Sequence, residues 1–268
     1  MKIIFLLNYD IHSLKSLNLL LETAKNHEIK IILSKKVGKP AQKISGELAL
    51  LKKFEQENLD EISKNLENSQ DKKSSKFLTF NQIAKILNCK IEYFDDINSP
   101  NSVDEITKFG PNLIISIRFG QILKNPIISI PNLGVINLHS GILPNYRGVL
   151  ASFWSILNHE NEIGTTLHYI DDDKIDKGKI IAISRQKILN NHSLVYNIFS
   201  LYDQGCEEIQ KFLAKISDNK NTVKTVEVRN EGKYFTFPKD EEIAKFLKIM
   251  NLVDEKDVIE IYKNFTKM

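Results

Sequence analysis

Cysteine is nearly absent from this chain. Cys89 and Cys206 are the only two in 268 residues, and they stand far apart, with neither metal-ligand spacing nor the density of a disulfide framework. Reduced thiols in small buried spaces are expected, and no metal centre. Long apolar runs are missing too. No segment approaches the ~20 apolar residues that cross a bilayer. The apolar opening MKIIFLLNYDIHSLKSLNLLL is interrupted by Asn8, Asp10 and His12, and no small-residue cleavage site follows it. A membrane span and a secretory leader are therefore not expected, and a cytoplasmic location is. An excess of one charge is also lacking: the formal net charge is +3, too small and too evenly spread to argue for a nucleic-acid partner. No internal repeat is evident. What the chain does have is length and 42% hydrophobic residues, enough for one main domain with a sizeable core and a smaller appendage.

KIIFLL at 2–7 reads as a buried strand, Leu14 to Lys25 carries helical apolar spacing through Leu17, Leu20, Leu21 and Ala24, and IKIILS at 29–34 is a second strand. This βαβ opening implies a parallel sheet with helices on its faces. Residues 39–76 turn polar, with Leu48, Leu51, Phe54 and Leu59 marking an amphipathic helix and NSQDKKSS a solvated loop, so this stretch reads as a helical insertion. NQIAKILN (helix), KIEYF (strand), VDEITKF (helix), NLIISI (strand) and GVINLH (strand) then resume the alternation. Beyond them come the helix ASFWSILNHE, the strand GTTLHYI, the polar loop DDDKIDKG, the strand KIIAISRQKI and a helix from Ser193 to Lys215. The tail reads as a strand pair, TVKTVEV with GKYFTFP, followed by two short helices. The expected fold is thus α/β, a doubly wound, mostly parallel sheet over 1–190, with a smaller C-terminal α+β extension over 191–268.

In GVINLHSGILPNYRG, strand alternation puts Asn137 and His139 on one side and Ile136 and Leu138 on the other. The polar pair also stands at the carboxyl end of a strand, where open parallel sheets bind ligands. By itself the pair fits a satisfied core histidine with a turn-capping asparagine better than a ligand site. The wider run LHSGILPNYRG, FWSILN, GTTLHYI and IDKG, in that order, resembles the formyltransferase family that uses 10-formyltetrahydrofolate. Its members include glycinamide ribonucleotide transformylase, methionyl-tRNA formyltransferase and the N-formyltransferases of nucleotide-linked amino sugars. The resemblance is strong over about 110–185, implies a Rossmann-like fold, and places the family's catalytic set on Asn137, His139 and Asp176, the last before Gly178. Two departures stand out. His139 is followed by Ser140 and Gly141 where many members carry Pro-Ser, and the DDDK run lengthens the aspartate loop, leaving Asp172 or Asp173 as competitors of Asp176.

Formyl transfer to an amine passes through a tetrahedral intermediate, which requires a donor to the developing oxyanion and a group to manage the amine proton. The Asn137 amide suits the first task. A histidine, which titrates near neutrality, suits the second, with Asp176 orienting it and favouring its charged form. By the same resemblance Phe119, Gly120, Ile122 and Leu123 are candidates for the folate site, joined by Asp171 and Asp172; for the apolar ones core packing is the alternative, and for the DDDK run a solvated loop. Arg118 reads as a contact for an anion or as a surface charge.

The implied co-substrate is 10-formyltetrahydrofolate and the implied acceptor a nucleotide-linked amino sugar, on a tail that resembles those of amino-sugar formyltransferases and can support a homodimer. Methionyl-tRNA and a non-catalytic nucleotide-sugar- or folate-binding role are the alternatives. For the acceptor's pyrophosphate the candidates are the turn Asn8 to Ser13, with His12, and Arg147. Each can instead cap a helix or bridge to a carboxylate. Trp154 is a candidate contact for sugar or pterin, or a packing residue.

Overall fold

The computed structural model describes residues 1–34, 46–68, 76–218, 223–227 and 232–265. In chain order the elements are β1 (Lys2–Asn8), α1 (Ile11–Ala24), β2 (Glu28–Ser34), α2 (Gly46–Lys52), a π-helical turn (Lys53–Glu57), α3 (Asn58–Asn68), α4 (Phe80–Ile86), β3 (Ile91–Tyr93), α5 (Pro100–Phe109), β4 (Leu113–Ile117), α6 (Asn125–Ile128) and β5 (Val135–His139). They continue as β6 (Tyr146–Gly148), α7 (Ala151–Leu157), β7 (Glu162–Tyr169), β8 (Ile180–Lys187), α8 (Leu194–Ser217), β9 (Lys233–Phe235), α9 (Asp240–Phe246) and α10 (Glu255–Tyr262).

Seven strands form one sheet in the order β3-β2-β1-β4-β5-β7-β8. The first five are parallel, and β7 and β8 add antiparallel at one edge. β1 and β4 are near-continuous apolar runs because both their faces are covered. Alternate residues of β1 enter different cores: Ile3, Phe5 and Leu7 join the larger one with α1 and α8, while Ile4 and Leu6 join a smaller one with Ile106 of α5 and Ile127 of α6. Local signals set the helix ends. Asp10 caps α1 by accepting from the Ser13 amide at 2.8 Å, and α5 starts on Ser99-Pro100 and stops on Gly110.

The expected insertion is helical over 46–68, and Leu48, Leu51, Phe54 and Leu59 are all buried. Most of the expected NSQDKKSS loop lies outside the described residues. The boundary expected near 190 falls between β8 and α8, and residues on both sides share the larger core, which runs from Ile3 to Phe265. The buried Lys15 of α1 donates to the Phe199 carbonyl and to Asp203 of α8, both at 2.7 Å. Asp257 of α10, itself buried, accepts from His192 Nδ1 at 2.7 Å and Ser193 Oγ at 2.6 Å, fastening the tail to the start of α8. His192, Asp257 and Glu260 are the His/carboxylate group with metal-binding proximity among the described residues. No helix among those residues is long and apolar enough to cross a membrane.

The tail corrects one expectation. Among the described residues TVKTVEV and GKYFTFP do not pair with each other: Val226 makes a single bridge to Ile180, while β9 pairs parallel with β6 in a separate two-stranded sheet. Strand propensity was present in both segments, but their partners, β8 and β6, are distant in sequence.

Candidate active site

β5 runs next to β4 and ends at the carboxyl edge of the parallel sheet. Ile136 and Leu138 enter the larger core, while Val135 of the opposite face belongs to the smaller one, so Asn137 and His139 share that second face as alternation requires. β7 supplies a residue that the sequence reading missed. In the antiparallel register His168 stands directly opposite Asn137, and Thr166 opposite His139.

The loop after β7 brings Asp176 between the two histidines. Asp176 Oδ2 lies 3.6 Å from His139 Nδ1 and Oδ1 lies 3.5 Å from His168 Nε2. Oδ2 also accepts from the Gly148 amide at 2.8 Å. His139 Nε2 donates to the Tyr146 carbonyl at 2.7 Å, which leaves Nδ1 facing the carboxylate. His168 Nδ1 donates to the Tyr169 carbonyl at 2.8 Å, and its Nε2 lies 3.2 Å from the Asn137 amide nitrogen. A Cβ on Gly141 would stand 2.6 Å from His139 Nε2, so the approach of ring to turn depends on the glycine. Asp176 holds a left-handed backbone, φ 55°, a conformation that Asp tolerates better than most side chains. Asp171, Asp172 and Asp173 are exposed; among the described residues of this loop, Asp176 is the carboxylate that reaches the histidines.

Burial pushes the Asp176 carboxyl up, but the charge of His139, together with His168 and the Gly148 amide, outweighs it and holds the group well below the usual carboxylate range. A depressed carboxylate adds stability that is complete above its unfolded value of about 3.9 and is lost as pH falls from there toward the folded value. The urea midpoint of the wild type should therefore fall more steeply than that of Asp176→Asn between about pH 4 and about pH 2. Equal falls would contradict this account of the site's charge.

The first turn is not an open anion site. Asn8, His12 and Ser13 have no exposed surface, and Asn8 Nδ2 donates to Asp10 at 2.9 Å. Arg118, read as a ligand contact or a surface charge, is neither: its Nε donates to Asp10 at 2.8 Å and a terminal nitrogen to Glu55 at 3.0 Å. Glu55, on the π-helical turn, also meets His12 Nε2 at 2.9 Å. A carboxylate of the chain itself thus occupies the amide end of α1 that a phosphate would need. Trp154 is likewise buried, donating from Nε1 to the Thr236 carbonyl at 3.1 Å and stacking on Phe235, so packing is its role here.

Of the folate candidates, Leu123 lies inside the smaller core and Phe119 packs against it, as does Ile170 at the start of the aspartate loop. Gly120 is partly buried, Ile122 is 52% exposed, and Asp171 and Asp172 face solvent. Arg147 is partly buried on β6 with its guanidinium 5.8 Å from the Tyr234 ring centre.

An amide, two imidazoles and a carboxylate thus gather at the carboxyl edge of the sheet, groups whose chemistry can donate to an oxyanion and move a proton. The sequence model of the formyl transferase family matches residues 40–213, and the chain belongs to that family. It is 43% identical over 86 residues to the methionyl-tRNA formyltransferase of Geobacter sulfurreducens, a match covering 32% of this chain and 27% of that one. Matches to the curated relatives span between 24% and 47% of their lengths. The fold is shared with solved structures. One is WlaRD, a sugar 3N-formyl transferase solved with dTDP and 5-N-formyl-THF (TM-score 0.53, 24% identity, 88% of this chain, 69% of that one). Another is the Helicobacter canadensis N-formyltransferase in complex with folinic acid and dTDP-3-aminofucose (TM-score 0.57, 20% identity, 96% of this chain, 82% of that one).

Proposed function

We propose that this chain transfers a formyl group from 10-formyltetrahydrofolate to the exocyclic amine of a nucleotide-linked amino-dideoxy sugar, in the cytoplasm, for bacterial surface glycans. The observation that carries the choice of acceptor is the tail. β9 pairs with the strand beside the site, and the helices after it begin on acidic turns, with Asp240 to Glu242 in one and Glu255 in the other, which repel a phosphate backbone. The likeness in fold to an N-formyltransferase solved with dTDP-3-aminofucose extends over 96% of this chain. A homodimer through the tail belongs to the same reading, and sedimentation at micromolar concentration checks it.

Phe119 and Ile170, both packed on the smaller core that holds Leu123, suit contact with a pterin ring, and loop backbone groups suit its polar edge. Asn137 donates its amide to the formyl oxygen as negative charge develops there. His139, whose Nε2 proton is held by the Tyr146 carbonyl, uses Nδ1 to take the proton of the attacking amine and pass it to the folate nitrogen whose bond to the formyl carbon breaks. Asp176 balances the imidazolium charge, and His168 holds Asn137 in place.

Formylation of methionyl-tRNA is the second reading, favoured by the 43% identity to the Geobacter enzyme. Salt separates the two. A tRNA held through many phosphates loses affinity steeply with ionic strength, whereas a nucleotide-sugar offers a pyrophosphate and a few hydrogen bonds. Measured from low to moderate salt in wild type and Arg147→Ala, KM for a nucleotide-linked amino sugar should depend weakly on salt and rise in the variant. Efficient, steeply salt-sensitive formylation of methionyl-tRNA would overturn the acceptor assignment.

A further inference from the structure

β6 is three residues long and has two working edges. Backbone groups of alternate strand residues point to the same edge. On one edge the Tyr146 carbonyl accepts from His139 Nε2 at 2.7 Å and the Gly148 amide donates to Asp176 at 2.8 Å. The other edge is paired with the C-terminal strand β9, in the register Tyr146 with Lys233, Arg147 with Tyr234 and Gly148 with Phe235. The pairing continues in the Val149 amide, which donates to the Phe235 carbonyl at 3.0 Å. Side chains close over it: Phe235 stacks on Tyr146 (5.5 Å, 13°) and on Trp154 (4.9 Å, 23°), and Trp154 Nε1 donates to the Thr236 carbonyl. A Cβ on Gly148, at φ 93°, would stand 2.2 Å from the Phe235 oxygen, so the two strands meet as closely as backbones can. Beyond β9 the chain is anchored again, with Phe246 stacked 4.3 Å from Phe153 of α7.

We infer that β9 is a clamp that positions His139 and Asp176 through β6, with Phe235 as its positioning residue. The inference rests on the reading of those two groups as the proton-transfer machinery. A strand of three residues has no stability of its own. Without β9, the carbonyl that fixes His139 and the amide that fixes Asp176 lose their shared support.

The test uses the full chain. Phe235→Ala should lower kcat by roughly 10- to 100-fold, the scale of a small misplacement, while KM for both substrates and Kd for folate change less than about twofold. Phe235→Tyr, which keeps the ring stack, should restore most of the loss. Trp154→Phe, which keeps an aromatic but removes the hydrogen bond to Thr236, should give a smaller fall in kcat and takes over the test if Phe235→Ala does not fold. The second readout needs no acceptor. The NMR titration of the His139 imidazole should shift in Phe235→Ala, or in Trp154→Phe in its place, and return in Phe235→Tyr. An unmoved titration, or a kcat loss that matches only the unfolded fraction, overturns the clamp. A moved titration in a protein that formylates no sugar leaves the clamp standing and rejects the acceptor.

Discussion

His139→Asn and Asp176→Asn are each expected to lower kcat by roughly 10²- to 10⁴-fold, the range for a positioned acid–base group, while folate binding stays within a few-fold of wild type. The two residues approach each other at the carboxyl edge of β5, and neither belongs to the smaller core on which Phe119 and Ile170 pack. Asparagine matches the size of aspartate and removes its charge, and in place of histidine it keeps a polar amide while removing the titrating ring nitrogen. Rapid-quench turnover with folate affinity measured in parallel separates the effects. A His139→Asn enzyme with most of its kcat would remove the histidine from the mechanism, and a collapse of folate affinity would assign it to binding instead.

The second large effect is on stability. Arg118→Ala should destabilise the fold by about 3 to 5 kcal/mol, because it strands two carboxylates where water does not reach them. Asp10 is fully buried and Glu55 is 7% exposed, and both spend an oxygen on this guanidinium. Burial pushes the Arg118 guanidinium down, but Asp10 and Glu55 more than offset it and hold it well above its ordinary value, as an internal ion pair requires. Urea unfolding reads the loss directly. Arg118 is also a left-handed residue, φ 57°, just before Phe119 and Gly120, so a folded remnant should bind folate weakly as well. A loss below about 1 kcal/mol would mean the network is a surface pair, which its burial contradicts.

The contrast between these two sites shows what local sequence carries. The period-two pattern of GVINLH, together with its place before a Gly-Pro break, was enough to put Asn137 and His139 side by side at a sheet edge. Asp176 was legible only through the glycine after it; in the structure its side chain lies against His139 and His168 while Asp171, Asp172 and Asp173 stay in solvent. His168 had a signal too, since it alternates with Thr166 in GTTLHYI, but its importance depends on an antiparallel register with β5 that no local pattern encodes. Arg118 was misread for the same reason, because the network it forms with Asp10 and Glu55 is not local. Its members come from three distant segments, and each taken alone looks like a ligand-facing or solvated charge. In the tail the two apolar segments and both helices were visible, whereas the pairing of β9 with β6 required knowing where residues 146–148 lie. Elements follow from near-neighbour periodicity; partners between elements follow from packing.

The central claim is that this site formylates the amine of a nucleotide-linked sugar. Incubating the protein with 10-formyltetrahydrofolate and a panel of dTDP-, UDP- and GDP-linked amino sugars, then weighing the products by mass spectrometry, tests it most directly. The account predicts the gain of one formyl group on at least one sugar, absent with His139→Asn. Folate-dependent formylation of methionyl-tRNA with every sugar unmodified would contradict it.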